Sequence, residues 1–214
     1  MIEPLFVDDT LLVLDKPSGL LAVPGRGADK QDALSTRVQR LYPDALIVHR
    51  LDMATSGLML MARGIHAQRS LSKAFAERAV HKSYEAVVDG HLLPPANDPD
   101  GWGVIDLPII VDWPRRPLRM IDAHQGKPSI THWRVLAHDA AANTTRLELA
   151  PITGRSHQLR VHLQALGHPI VGDALYASAP VQAKANRLLL HACVLTMTHP
   201  VTREILTLTS PAPF

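Results

Sequence analysis

Segments with the marks of β-strands outnumber helical ones in this chain, and the two kinds do not alternate regularly. Residues 11–14 form a short apolar run that enters the turn-rich Asp15-Lys16-Pro17-Ser18-Gly19. Residues 46–62 read as strand, turn, strand around Met53-Ala54-Thr55-Ser56-Gly57, and residues 83–88 alternate as a half-buried strand does. Residues 131–136, 145–149, 193–197 and 205–209 make the second half strand-rich. A doubly wound parallel sheet needs a helix between successive strands, so the pattern predicts an α+β fold with a mixed, largely antiparallel sheet and flanking helices.

Three stretches carry helical periodicity. In residues 32–42, Leu34, Val38 and Leu41 fall at i, i+4 and i+7, with Asp32 as the expected N-cap and Pro43 as the stop. Residues 66–79 turn Leu71, Ala74 and Phe75 inward. Residues 156–166 start on Ser156 as N-cap and end before Gly167; Leu159, Leu163 and Leu166 form the buried stripe, and His157, Arg160 and Gln164 the polar face. Residues 94–103, with three prolines, are the sole linker-like stretch, and strand-like segments on both sides make it a surface excursion. At 214 residues and 46% hydrophobic content the chain is expected to fold as a single domain, residues 1–214.

Several chemistries are disfavoured. One cysteine, Cys193, permits no disulfide framework and no Cys-based zinc site. His157 and His162 are five apart rather than the four of a helical zinc pair. Gly25-Arg26-Gly27 lacks the third glycine of a dinucleotide loop, and no phosphate-binding P-loop occurs. Glu3, Asp8 and Asp9 stand where a secretory signal needs basic and then apolar residues, and no apolar run reaches the ~20 residues of a membrane span. The expected setting is cytoplasmic, without a membrane. With 22 Lys and Arg against 20 acids, the mild basic balance permits an RNA partner without requiring one.

Three motifs hold the candidate chemistry. In His49-Arg50-Leu51-Asp52, an extended backbone projects Arg50 and Asp52 to one side. A guanidinium beside a carboxylate favours its ionised form. Two readings stand here: a structural ion pair at a turn, or a positioned carboxylate that acts as a nucleophile or steadies a cationic sugar. Thr153-Gly154-Arg155-Ser156-His157 opens a helix with an anion site or an ordinary solvated face. Tyr84 in Lys82-Ser83-Tyr84 is either sheet packing or a ring that stacks on a base. Arg115, Arg116, Arg119, Lys127 and Arg134 form a basic cluster, either phosphate-binding or simply solvated.

Taken together and in order, these stretches resemble the RluA family of pseudouridine synthases. The resemblance rests on Asp15 to Gly19, His49-Arg50-Leu51-Asp52 with Thr55-Ser56-Gly57, Lys82-Ser83-Tyr84 and Thr153 to Arg160. It extends to His168-Pro169-Ile170-Val171-Gly172-Asp173 and Arg187-Leu188-Leu189-Leu190-His191-Ala192. Val23-Pro24-Gly25-Arg26, Asp106-Leu107-Pro108 and Asp112-Trp113-Pro114 are similar to the short subgroup without an S4-like domain, and about ten residues before the first strand leave no room for one.

The resemblance implies the pseudouridine synthase fold with a central RNA-binding cleft. It implies Asp52 as the catalytic carboxylate, Arg160 as its partner, and Tyr84 as the residue that stacks on the flipped uracil and assists proton removal. Arg50, which would fill the space left by the base, joins Thr55, Arg155, His157 and Leu190 as the substrate-binding set. It implies no metal and no cofactor, a monomer without a protein partner, and RNA substrates in rRNA and tRNA stem-loops. Two rival functions follow from the same residues: an N-glycosidic-bond hydrolase that uses Asp52, and a non-catalytic RNA-binding module.

Overall fold

The computed structural model describes residues 3–96 and 98–214. The chain divides into two compact units, one formed by Met1–Lys82 with His191–Pro213 and the other by Ser83–Leu190 with Phe214.

The first unit contains β1 (Pro4–Val7), β2 (Leu11–Lys16), β3 (Ala45–Ile47) and β4 (Ser56–Arg63). The later strands β11 (Leu190–Thr198) and β12 (Ile205–Thr209) return to it. The order is β1-β2-β4-β11, with β12 added to β11 and β3 also paired to β4. Most pairs are antiparallel, but β4 and β11 run parallel, with His191 opposite Ser56 and Ala192 opposite Gly57. The sheet is therefore mixed, as the irregular strand pattern predicts. Strand β4 is buried along nearly its whole length. Leu58, Leu60 and Ala62 on one face join Leu11, Val13, Leu195 and Met197, while Met59 and Met61 on the other are fully buried as well. Helix α2 (Gly64–Ala76) closes the first face with Leu71, and Ala74 and Phe75 pack beside it.

The second unit contains β5 (His81–Asp89), β6 (Gly103–Asp106), β9 (Ile130–Asp139) and β10 (Thr144–Pro151) in the antiparallel order β5-β10-β9-β6. A small hairpin of β7 (Ile109–Val111) and β8 (Arg119–Ile121) stands apart. Helix α3 (Gln158–Ala165) contributes Val161 to a cluster with Ile109, Tyr176, Leu118 and Ile121. A short helix, α4 (Ala179–Gln182), follows.

Two helix starts differ from the sequence reading. Helix α1 covers Leu34–Gln39 and its N-cap is Ala33; the Asp32 carboxylate instead grips Arg37 at 2.6 and 2.7 Å. Leu41 lies beyond the helix and is exposed. Helix α3 begins one residue past the expected cap: His157 is the N-cap, in a left-handed conformation (φ 57°), and Ser156 caps nothing. Gly167 has φ 85° at the C-terminal end, as its placement there requires.

Candidate active-site turn and helix

In the first unit, Asp52 lies in the connection between β3 and β4. Leu51 is buried between exposed Arg50 and half-buried Asp52, the alternation of an extended segment. The chain then turns: the Thr55 N–H donates to the Asp52 carbonyl at 3.1 Å. Thr55 is itself buried. Three groups from the Lys16-Pro17-Ser18-Gly19 stretch hold the turn from behind. The Lys16 ammonium donates to the Met53 carbonyl at 3.0 Å, the Gly19 N–H to the same carbonyl at 2.9 Å, and the Ser18 hydroxyl to the Ala54 carbonyl at 2.7 Å. Lys16 is 0% exposed and also donates to the carbonyls of Pro17 and Leu20, each at 2.8 Å. A buried ammonium is tolerated because carbonyl dipoles replace its water.

The strand after the turn is fixed with equal care. The Ser56 hydroxyl meets His191 Nδ1 at 2.7 Å, His191 Nε2 meets the Ser210 hydroxyl at 3.0 Å, and Ser210 donates to Asp15 at 2.6 Å. Because the Ser210 proton goes to the carboxylate, Ser210 accepts from His191 Nε2–H. Gly57 has φ 109° and packs so closely on the Ala192 backbone that no Cβ fits. Ahead of the turn, His49 stacks on Phe75 (ring centroids 4.5 Å apart) and its Nε2 accepts the Leu60 N–H at 2.9 Å. Burial, with the nearby Lys82 charge adding to it, pushes His49 down to about 3, so the ring is neutral at physiological pH. Burial also holds the Lys82 ammonium below the usual lysine value.

In the second unit, Tyr84 is half-buried on β5, opposite Leu149 of β10, while Ala86 and Val88 on its face are fully buried. Arg160 departs from the sequence reading. It is only 4% exposed, so it does not belong to a solvated face, whereas Leu166 of the expected apolar stripe is exposed. The reason is Asp173, which binds Arg160 Nε at 2.8 Å and Nη2 at 2.6 Å and is itself 0% exposed. The guanidinium carbon sits 5.0 Å from the centre of the Tyr176 ring. The Tyr176 hydroxyl accepts the Arg119 N–H at 2.9 Å and is hydrogen-bonded to His157 Nδ1 at 2.7 Å. Burial raises the Tyr176 hydroxyl to about 12, keeping it protonated.

The loop ahead of α3 is organised by Gln158, a residue the sequence reading left without a role. Its side-chain oxygen accepts from the Thr153 hydroxyl and the Arg155 N–H, and its nitrogen donates to the Ile130 carbonyl and the Thr131 hydroxyl. Arg155 remains exposed, and Leu190 is buried at the start of β11. Within the basic cluster, Arg115 is paired with Asp112 and Arg134 with Glu148, while Arg116 lies 3.4 Å over the exposed Trp113 ring. Among the described residues, no group of three or more His, Cys, Asp or Glu has the arrangement of a metal site, and no helix is long and apolar enough to cross a membrane.

The family model for RNA pseudouridylate synthase matches residues 10–165. The chain is similar to the dual-specificity RNA pseudouridine synthase RluA of Escherichia coli (strain K12), with 51% identity over 210 residues, 98% of this chain and 93% of that protein. It is 47% identical over 215 residues to the protein of the same name from Vibrio vulnificus (strain CMCP6), covering 99% of this chain and 84% of that one. Among solved structures, human RNA pseudouridylate synthase domain containing 1 aligns with a TM-score of 0.80 and 30% identity, over 100% of this chain and 84% of its own.

Proposed function

The chain belongs to the RNA pseudouridylate synthase family, and from that premise we propose that Asp52, Tyr84 and Arg160 carry its isomerisation of uridine to pseudouridine. The enzyme is an isomerase acting on RNA. The bond from ribose C1′ to uracil N1 breaks, the base turns, and C1′ bonds to C5; C5 loses a proton and N1 gains one. Nothing is consumed, so the reaction calls for no cofactor and no redox partner.

Asp52 supplies the carboxylate that drives cleavage of the glycosidic bond, and Arg160 serves as its cationic partner in the reaction. Tyr84 stacks on the flipped uracil and assists removal of the C5 proton. Arg50 takes the space the base leaves. Thr55, Arg155, His157 and Leu190 complete the substrate contacts. The enzyme acts as a cytoplasmic monomer on the stem-loops of rRNA and tRNA. Extruding a base costs a few kcal/mol, less in a loop than in a duplex, and phosphate contacts supply much of the offsetting affinity. The dual-specificity name of the bacterial relatives supports two RNA substrate classes.

The observation that carries the assignment of Asp52 is its turn, whose backbone is tied by Lys16, Ser18 and Gly19 while the side chain stays half-exposed. Such a turn presents a carboxylate; a merely structural ion pair would not need it. The test is to incubate the purified protein, with EDTA present, with rRNA and tRNA stem-loop transcripts and to quantify pseudouridine and free uracil. Pseudouridine without free uracil is expected. Free uracil in its place would mark a hydrolase, and neither product would mark a binding module.

A further inference from the structure

Within the stretch His168-Pro169-Ile170-Val171-Gly172-Asp173, the second unit is built to deliver the last residue. Val171 is laced between two segments: its N–H donates to the Val87 carbonyl at 2.9 Å, and its carbonyl accepts the Leu189 N–H at 3.0 Å. Gly172 follows with φ 76°, packed so tightly on the Arg187 carbonyl that any side chain would collide with it. The Asp173 N–H then closes back onto the Ile170 carbonyl at 3.2 Å. The carboxylate is further fixed by the backbone beyond it, since Oδ1 accepts the N–H groups of Leu175 at 2.9 Å and Tyr176 at 3.2 Å.

An anion so rigidly placed is more than a neutralising charge. Both of its oxygens bind Arg160, along the Nε–Nη2 edge of the guanidinium plane. Two parallel hydrogen bonds fix the plane of the fork as well as its position. They thereby dictate the direction in which the Nη1 end projects. The Tyr176 ring, 5.0 Å from the guanidinium carbon, adds a second surface that restrains the plane.

We propose that Asp173 is a positioning residue for catalysis: it aims Arg160, and it acts on the reaction only through Arg160. This rests on the reading that Arg160 belongs to the catalytic set. Asp173 touches no reacting atom in this account. Its contribution is geometric, and it is lost when the fork is free to rotate.

A mutant cycle tests it, with Arg160→Ala, Asp173→Asn and the double variant compared by single-turnover kinetics on a stem-loop RNA, alongside RNA binding at fixed salt. Each single variant should lose turnover on the order of 100-fold, with affinity within about threefold, and the double variant should lose no more than Arg160→Ala alone. Asp173→Glu keeps the buried charge pair but shifts the carboxylate by a methylene. It should fold and still lose turnover, by roughly tenfold, with KM unmoved. If Asp173→Asn fails to fold, this variant decides. Wild-type turnover by folded Asp173→Glu, or losses that multiply in the double variant, would overturn the proposal. Full activity of Arg160→Ala would overturn the underlying reading instead, which the Asp173 variants alone cannot do.

Discussion

The two units hold their candidate catalytic groups in opposite ways. In the first, a buried cation, Lys16, binds backbone carbonyls, and the side chain that matters, Asp52, is left half-exposed at the tip of the tethered turn. In the second, a buried anion, Asp173, binds the side chain that matters, Arg160, directly. Fixing backbone sets the point from which a side chain emerges, which suits a carboxylate proposed to act in the reaction. Fixing the side chain itself sets a defined plane, which suits a group proposed to orient and balance charge.

This contrast is sharpest at Lys16. Lys16→Met takes a charged donor from three carbonyls, of which Met53 keeps the Gly19 N–H, and should destabilise the protein by about 4 kcal/mol or more in urea unfolding. A Lys16→Met protein as stable and active as the wild type would remove the tether from the account.

Removing one member of the Arg160–Asp173 pair should cost nearly as much, about 3–5 kcal/mol for Asp173→Asn, because the guanidinium is left buried against a neutral amide. Here the two regions should part. Arg160→Met added to Asp173→Asn removes the buried cation as well and should recover part of the loss in unfolding free energy. At Lys16 the carbonyls of Pro17, Leu20 and Met53 stay in place whatever second side chain is changed. Failure of Arg160→Met to recover stability would show that Asp173 is needed chiefly for its bonds to the Leu175 and Tyr176 N–H groups.

Acid should weaken the first unit through His49. Its folded pKa, about 3, lies below the ordinary 6.5, so between these values the unfolded chain binds more protons. Stability is fully present above pH 6.5 and falls as pH drops toward 3, by about 2 kcal/mol at pH 5. The pH slope of unfolding free energy should flatten in His49→Gln. His162 of the second unit, held low mainly by its burial, shifts in the same direction, so the flattening should be partial. An unchanged slope would assign the acid sensitivity elsewhere.

Ser56→Ala should have the smallest effect, about 1 kcal/mol, since it removes one hydrogen bond from His191 and leaves the Lys16 tether intact. Turnover per folded molecule should stay close to wild type. A loss approaching that of Lys16→Met would shift the support of the Asp52 turn from Lys16 to the Ser56–His191–Ser210–Asp15 chain.

How far these features were readable from sequence depended on the range over which they are determined. Strand β12 has the bounds expected from the sequence, and β9, β10 and β11 extend their predicted cores by a few residues. Helix α2 was visible from Leu71, Ala74 and Phe75. Strands β7 and β8, three residues each, and β6, at the end of a proline-rich stretch, are too short for any period to show. The motif around Asp52 was legible, but its support was not. Lysine is ordinarily exposed, and Lys16 is buried because a carbonyl 37 residues away, at Met53, comes to meet it. Arg160 reads as surface when grouped with His157 and Gln164, although at 3.6 residues per turn it stands at the border of the Leu159 and Leu163 stripe. Nothing in that spacing reveals that Asp173, 13 residues on, covers it.

The most direct measurement is of pseudouridine formed in stem-loop RNA by the purified Asp52→Asn protein, beside its RNA affinity at one salt concentration. No detectable pseudouridine is expected, with affinity within a few-fold of wild type, because only the carboxylate charge is removed while the turn and its tether remain. Substantial pseudouridine formation by a folded Asp52→Asn protein would contradict it.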